Sequence, residues 1–109
     1  ERPRVPSVAD AIAHISDRYA EPIAIGALVK ASGMSRAAFF AAFKRDTGVT
    51  PLQMITDLRM EKARLFLRLS GFPIAEVGRV CGYQDNAYFT RVFTRQAGMT
   101  PTDYRKAGS

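Results

Sequence analysis

Apolar residues recur at helical spacing along most of the chain, and no segment alternates between apolar and polar residues for long enough to form a strand. The first helical pattern consists of Val8, Ile12, Ile15 and Tyr19. Ser7 and Asp10 stand where the hydroxyl and the acid of a capping box belong, and Pro22 follows the pattern. The sequence therefore predicts a first helix that is capped by Ser7 and runs to about Tyr19.

Capping and turn residues divide the rest of the chain into six more helices. Most predicted starts have a hydroxyl, an acid or a proline, and most predicted ends have a glycine just beyond. These helices cover about residues 25–31, 36–47, 51–69, 74–81 and 86–97, and a short last helix begins at Pro101. The predicted fold class is therefore all-α, with seven helices.

The helix predicted from Pro51 to Leu69 is the longest, and its apolar residues point in too many directions for one contact face. A helix of this length spans ~28 Å. We expect its front half to pack on one subdomain and its rear half on another. The predicted organisation is a linker or boundary at residues 1–6, a first subdomain at 7–50, a linker helix at 51–70 and a second subdomain at 71–109.

The two predicted subdomains repeat one motif. Residues 25–33 match 74–82 at an offset of 49, and residues 35–51 match 85–101 at an offset of 50. The repeating unit is a short helix, a glycine-bearing turn, a longer capped helix and a Gly-x-Thr-Pro junction. This arrangement has the form of a helix-turn-helix. In the second copy, Gly78 supplies a small residue where the two helices are expected to cross.

The net charge of the chain limits the classes of partner that the sequence favours. The sequence has 16 lysines and arginines against 10 acidic residues, which gives a net charge of +6. A basic domain of this size favours a polyanionic partner, but composition does not choose between nucleic acid and a membrane surface.

Candidate groups for catalysis or metal binding are sparse. Cys81 is the single cysteine, so no intrachain disulfide or cysteine-rich zinc site is expected, which suits a reducing compartment. His14 has no second ligand at metal spacing and is expected at the surface. We find neither a Gly-rich phosphate loop nor paired carboxylates in an apolar setting, and no run long enough to span a membrane. The sequence predicts no enzyme, cofactor, metal site, signal peptide or membrane partner.

Several short stretches are more specific than the helical pattern. They are IAEVG at 74–78, CGY at 81–83, YFTRVF at 88–93 and GMTPTDYR at 98–105, together with LRMEKAR at 58–64 in the long helix. With these stretches the chain resembles the DNA-binding domain of the AraC/XylS transcriptional regulators over about residues 7–106.

The resemblance implies seven helices and two helix-turn-helix units that bind double-stranded DNA in a bacterial regulator such as an activator. It also implies RNA polymerase as a partner and action in the bacterial cytoplasm, at the nucleoid. Many members carry an N-terminal sensory or dimerisation domain, and the linker-like start of this chain favours a fragment of such a protein.

The second helix of a helix-turn-helix enters the major groove with its outward residues against the base edges. If the core takes Phe39, Phe43, Phe89 and Phe93, the outward residues follow from helical spacing. The candidate DNA-binding residues of the first copy are Ser35, Arg36, Ala37, Phe40, Ala41, Lys44 and Arg45. Those of the second copy are Asn86, Ala87, Thr90, Arg91 and Arg95. Successive major grooves lie ~34 Å apart, so the long helix is expected to let one chain read two adjacent grooves.

The two predicted surfaces differ in chemistry. Arg91 suits guanine and Asn86 suits adenine, because each can form paired hydrogen bonds with that base. Ala37, Phe40 and Ala41 can touch thymine methyls but form no hydrogen bonds. Base reading by the first copy is therefore left open, and so are two alternatives: that Phe40 packs inside, and that the protein is a helical interaction module without specific DNA reading.

Other notable residues have ordinary structural interpretations. Cys81, Met99 and Tyr104 are expected in the core. The basic residues of the long helix are expected to be solvated or paired with Asp57 and Glu61, although part of them could line the DNA side. These basic residues are Arg59, Lys62, Arg64 and Arg68.

Overall fold

The computed structural model describes residues 6–108, and this range forms seven α-helices and no strand, which confirms the predicted fold class. The helices are α1 (Ala9–Arg18), α2 (Ile25–Ser32), α3 (Arg36–Thr47), α4 (Pro51–Leu69), α5 (Ile74–Val80), α6 (Asn86–Ala97) and α7 (Pro101–Ala107). Residues 1–5 of the predicted linker lie outside the described range. The chain divides into two compact units, and the boundary falls within α4, between Thr56 and Asp57.

The first unit has a small core beneath α3. Helix α1 packs against α2, and α2 packs against α3. The buried apolar residues of this unit are Val8, Ala11, Ile15, Val29, Phe39, Ala42, Phe43 and Ile55. The ring centroids of Phe39 and Phe43 lie 6.0 Å apart, and both side chains are fully buried. Because buried aromatic rings remove a large apolar area from water, these two residues fix which face of α3 turns outward.

The start of α1 differs from the sequence prediction. The N-cap is Val8, which offers no side-chain hydrogen bond. Ser7 lies one residue earlier, and its Oγ accepts a hydrogen bond from the backbone N–H of Ala9 at 3.3 Å. Since Val8 is almost fully buried, packing of an apolar side chain sets the position of this first turn. The helix ends at Arg18, just before Tyr19.

The second unit has an aromatic core of its own. Its buried residues are Met60, Ala63, Leu67, Val77, Cys81, Tyr83, Phe89 and Phe93. Gly78 lies where α5 meets α6, and a Cβ atom at this position would be 2.7 Å from Cδ2 of Phe89. The small residue expected at the crossing is therefore required there, because a methyl group has no room. The matching position in the first unit holds Val29, which is buried.

The last helix closes the end of α4. Nε of Arg105 donates a hydrogen bond to the carbonyl oxygen of Leu67 at 3.0 Å, and Nη2 donates to that of Ser70 at 3.4 Å. Carbonyl groups at the carboxyl-terminal end of a helix have no backbone N–H partner within that helix. Tyr104 packs edge-to-face on Phe93 with centroids 5.5 Å apart, so it lies against the core as a half-buried residue.

Several apolar residues stay outside the two cores. In α4, Leu52, Leu65 and Leu69 are exposed, and Leu69 is 76% exposed. These three apolar residues of α4 therefore belong to neither core. Leu65 and Leu69 lie on the side of the helix opposite to Ala63 and Leu67, which face the core. The expected burial of Met99 is wrong, because that side chain is exposed.

Candidate nucleic-acid interface

The turn before α3 orients the first candidate recognition helix. Gly33 has a left-handed backbone conformation, with φ of 75°, and ends α2. Ser35 then caps α3, since its Oγ accepts a hydrogen bond from the backbone N–H of Ala38 at 3.2 Å. Among the candidate residues of this unit, the exposed ones are Ser35, Arg36, Ala37, Ala41, Lys44 and Arg45, and Phe40 is half-buried.

Phe40 lies at the edge of the core, between the exposed position expected for it and the buried alternative. Its ring meets that of Phe39 edge-to-face, with centroids 5.6 Å apart and an interplanar angle of 84°. On the other side, the guanidinium carbon of Arg36 lies 5.0 Å from the centroid of Phe40. One ring edge is thus fixed to the core, and the outer surface is covered by a cation.

The carboxyl-terminal half of α3 carries two exposed cations. Nε of Arg45 pairs with Oδ1 of its neighbour Asp46 at 3.2 Å. Among the described residues, Lys44 has no carboxylate partner. Lys44 is therefore the better placed of the two to meet a phosphate, because Arg45 must first leave an existing ion pair.

Helix α6 begins with a stronger cap than α3. Oδ1 of Asp85 accepts hydrogen bonds from the backbone N–H groups of Ala87 at 2.9 Å and Tyr88 at 3.2 Å. A negative charge at this end also complements the helix dipole. Phe89 and Phe93 are fully buried, so the opposite face of α6 turns outward. Of the candidate residues, Asn86, Ala87, Arg91 and Arg95 are exposed, and Thr90 is half-buried.

An exposed aromatic residue on α6 was missed by the sequence interpretation. Tyr88 is 50% exposed, and the guanidinium carbon of Arg91 lies 5.7 Å from its ring centroid. The other side of Tyr88 contacts Tyr83, with centroids 5.8 Å apart. Since Tyr83 belongs to the core, this aromatic pair gives Arg91 a fixed neighbour. The spacing of Tyr88 and Arg91, three residues apart on a helix, was the signal available in the sequence.

Arg59, which was expected to be solvated or paired with a carboxylate, also contacts the turn between α5 and α6. Its guanidinium carbon lies 5.0 Å from the ring centroid of Tyr83, and Nη1 donates to the carbonyl oxygen of Gly82 at 3.5 Å. Burial raises the pKa of the Tyr83 hydroxyl, and the neighbouring Arg59 partly opposes that rise. Arg59 therefore supports the turn that leads into α6.

The remaining titratable groups do not form a second site. Burial raises the pKa of the Cys81 thiol to about 11, which leaves it uncharged at neutral pH, in line with its expected core position. His14 is exposed, as expected. Within residues 6–108, no three histidine, cysteine or acidic side chains are grouped so that they could hold a metal ion. The helices of this range also include none that is long and apolar enough to cross a membrane.

Two helix-turn-helix units, each with an outward helix that carries exposed cations, define a DNA-binding type of domain. A family model described as a helix-turn-helix domain matches residues 28–107. The chain is 41% identical over 64 residues to the transcriptional activator RhaR of Yersinia pseudotuberculosis, covering 59% of this chain and 22% of that protein. It is 32% identical over 94 residues to RhaR of Salmonella schwarzengrund, covering 86% of this chain and 33% of that protein.

Solved structures give the same result. The DNA-binding domain of AdpA, solved in complex with a target DNA, matches with a TM-score of 0.83 and 29% identity, covering 94% of this chain and 93% of that one. The C-terminal domain of the response regulator AraT from Geobacillus stearothermophilus matches with a TM-score of 0.84 and 25% identity, covering 94% and 86%. This chain belongs to the AraC/XylS family of transcriptional regulators and corresponds to the DNA-binding domain.

Proposed function

We propose that the chain binds double-stranded DNA sequence-specifically, with α3 and α6 in adjacent major grooves of the target. The observation that carries the proposal is the repeated placement of a capped helix whose phenylalanines are buried and whose opposite face is exposed and basic. A helix of this kind presents its first turns to base edges when its flanks rest on phosphates. The similarity to a domain solved with its target DNA supports the same function.

The roles of the candidate residues follow from their chemistry. Arg91 is assigned to guanine and Asn86 to adenine, because both side chains are exposed on α6 and each can form paired hydrogen bonds with that base. Lys44 and Arg95 are assigned to phosphates, since they lie further along their helices and are exposed. Ser35 caps α3, and its exposed hydroxyl is assigned to a phosphate contact as well.

The partners of the whole protein are proposed from its relatives. The chain spans 22% to 33% of the length of the curated relatives described above. We assign to the parent protein an N-terminal sensory or dimerisation domain and contact with RNA polymerase, by similarity to relatives that are named as activators. The place of action is the bacterial cytoplasm at the nucleoid, where the DNA is. The proposed function is binding rather than catalysis, which suits relatives that are named as transcriptional activators.

The decisive experiment selects duplexes from a random library and then measures their affinity for the protein at several salt concentrations. Two half-sites about one helical turn apart are expected. The logarithm of the association constant is expected to fall linearly with the logarithm of the salt concentration, because phosphate contacts release counterions. Failure to enrich any duplex would contradict the proposal. That result would favour the alternative of a protein-interaction module, for which the exposed Ala37 and Ala41 beside Phe40 are the structural basis.

A further inference from the structure

We propose that the first unit recognises thymine by its 5-methyl group, through an apolar face of α3 formed by Ala37, Phe40 and Ala41. We call these three residues the methyl-reading face. The inference rests on the proposed DNA binding and adds the chemical group that α3 reads.

The methyl-reading face occupies the positions of α3 where a recognition helix meets the bases. Its three residues are three or four positions apart, so they lie on one side of the helix. Ala37 and Ala41 are exposed, and Phe40 is half-buried. These side chains have neither a hydrogen-bond donor nor an acceptor. At the matching positions, α6 has Ala87, Thr90 and Arg91, so two of its three side chains are polar.

The chemistry of the major groove selects the ligand of such a face. An apolar side chain that covers a polar base edge removes water from that edge without replacing the lost hydrogen bonds, which costs free energy. The 5-methyl group of thymine is the apolar group that an unmodified base pair presents in the major groove. A face of Ala37, Phe40 and Ala41 therefore discriminates in favour of thymine and against bases that offer only polar atoms there.

The structure keeps this face in place before DNA binds. The ring of Phe40 meets the fully buried Phe39 edge-to-face, so it is supported by the core of the unit. Less ordering is then required on binding, which favours affinity. The guanidinium group of Arg36 covers the outer surface of Phe40 in the free protein, with its carbon 5.0 Å from the ring centroid. A contact of this type is weak at an exposed site, whereas an arginine–phosphate hydrogen bond is charge-assisted, so a DNA phosphate can draw Arg36 off the ring.

The test removes single methyl groups from the DNA. A duplex selected from the random library is resynthesised with each thymine replaced, one at a time, by deoxyuridine, which keeps all hydrogen-bonding groups of the base. At one or more positions, affinity is expected to fall about fourfold, which corresponds to ~0.8 kcal/mol for a buried methyl-sized group. The same series is then measured with Phe40→Ala, in which deoxyuridine at those positions is expected to cause no further loss.

A second variant guards against a folding defect. Ala37→Ser changes an exposed side chain on the helix surface. In this variant, the fall in affinity caused by deoxyuridine is expected to shrink from about fourfold to about twofold or less. Ala87→Ser, at the matching position of α6, is the control and is expected to leave that effect unchanged. Circular dichroism establishes that each variant is folded.

Two results would overturn the inference while leaving DNA binding intact. One is a duplex that is bound tightly and tolerates deoxyuridine at every position. The other is a deoxyuridine effect that persists undiminished in both Phe40→Ala and Ala37→Ser. Failure to select any duplex would be a different result, because it would overturn the proposed DNA binding and this inference together.

Discussion

Each unit pairs an arginine with an aromatic residue on its outward helix, but the order along the chain is reversed, with the arginine first in α3 and the aromatic residue first in α6. In α3, the half-buried ring of Phe40 holds a position that is proposed to face the bases, and Arg36 covers it from the preceding turn. In α6, the exposed Arg91 holds a position that is proposed to face the bases, and Tyr88 lies beside it. The internal positions agree, since each helix has two buried phenylalanines and a glycine end. The fold thus depends on the inward positions, and the outward positions are available to read different chemical groups.

The largest expected effect comes from breaking the helix that the two units share. Proline in place of Leu58 removes a backbone hydrogen bond in the interior of α4 and costs roughly 3 kcal/mol of helix stability. If both units bind one duplex together, the affinity for a site with two half-sites is expected to fall more than about 100-fold, as ~3 kcal/mol of lost coupling would give. Fluorescence anisotropy with labelled duplex measures the change.

Leu58→Ala is the control for that variant, because it shortens the same side chain and allows the helix to continue. Unchanged tight binding by Leu58→Pro would mean that the units act independently. The two units would then be separate binding modules.

A methyl group at the helix crossing is expected to destabilise the second unit alone. Gly78→Ala places a Cβ atom against the ring of Phe89, and overpacking of this kind costs about 1–3 kcal/mol. The control in the first unit is Gly26→Ala in α2, a helical glycine away from any helix crossing, where a Cβ atom meets nothing within 4 Å and helix propensity improves. Thermal unfolding followed by circular dichroism compares the two. Equal melting temperatures would show that the crossing of α5 and α6 adapts to the extra atom.

Removal of Arg91 from α6 tests whether this unit reads bases through hydrogen bonds. Arg91→Ala is expected to cost about 1–3 kcal/mol on the selected duplex and to relax the preference at one base pair. Affinity for random duplex should change much less. Equal losses on selected and random DNA would assign Arg91 to a phosphate instead, and hydrogen-bonded base reading by α6 would then rest on Asn86.

The smallest expected effect concerns Tyr88, the exposed aromatic residue beside Arg91. Tyr88→Ala removes the ring beside Arg91 and is expected to weaken specific binding by about 0.5–1 kcal/mol, the size of an exposed cation–π contact. Tyr88→Phe keeps the ring and is expected to bind like the parent chain. In the Arg91→Ala background, Tyr88→Ala should add little. A full additional loss there would indicate that Tyr88 contacts DNA by itself.

Local signals made most of the helices predictable from the sequence. Ser35, Asp85 and Thr100 cap their helices as expected, and Gly48 and Gly98 end the two recognition helices in left-handed conformations. Caps and glycine ends involve residues within about four positions of each other, so a single sequence contains their full context. The start of α1 was misplaced because the burial of Val8 depends on the fold of the unit and outweighed the hydroxyl signal of Ser7.

The long side chains were the least predictable part of the candidate site. Arg59 reaches a carbonyl oxygen 23 positions away, and Arg105 reaches one 38 positions away. Helical periodicity places such a residue on a face, but it does not specify which distant acceptor lies within reach. Phe40 was ambiguous for a related reason. Its half-buried state depends on the orientation of the Phe39 ring, which is a property of the packed core.

The hydrogen bonds from Arg105 also set an order of events in protein synthesis. The carbonyl oxygens of Leu67 and Ser70 leave the ribosome more than thirty residues before the guanidinium group that binds them. Until the last helix emerges, the end of α4 can be solvated but not closed by its native partner. A nascent chain that stalls before residue 105 would therefore hold an unfinished second unit, and tethered truncation products should become resistant to protease only when that arginine is included.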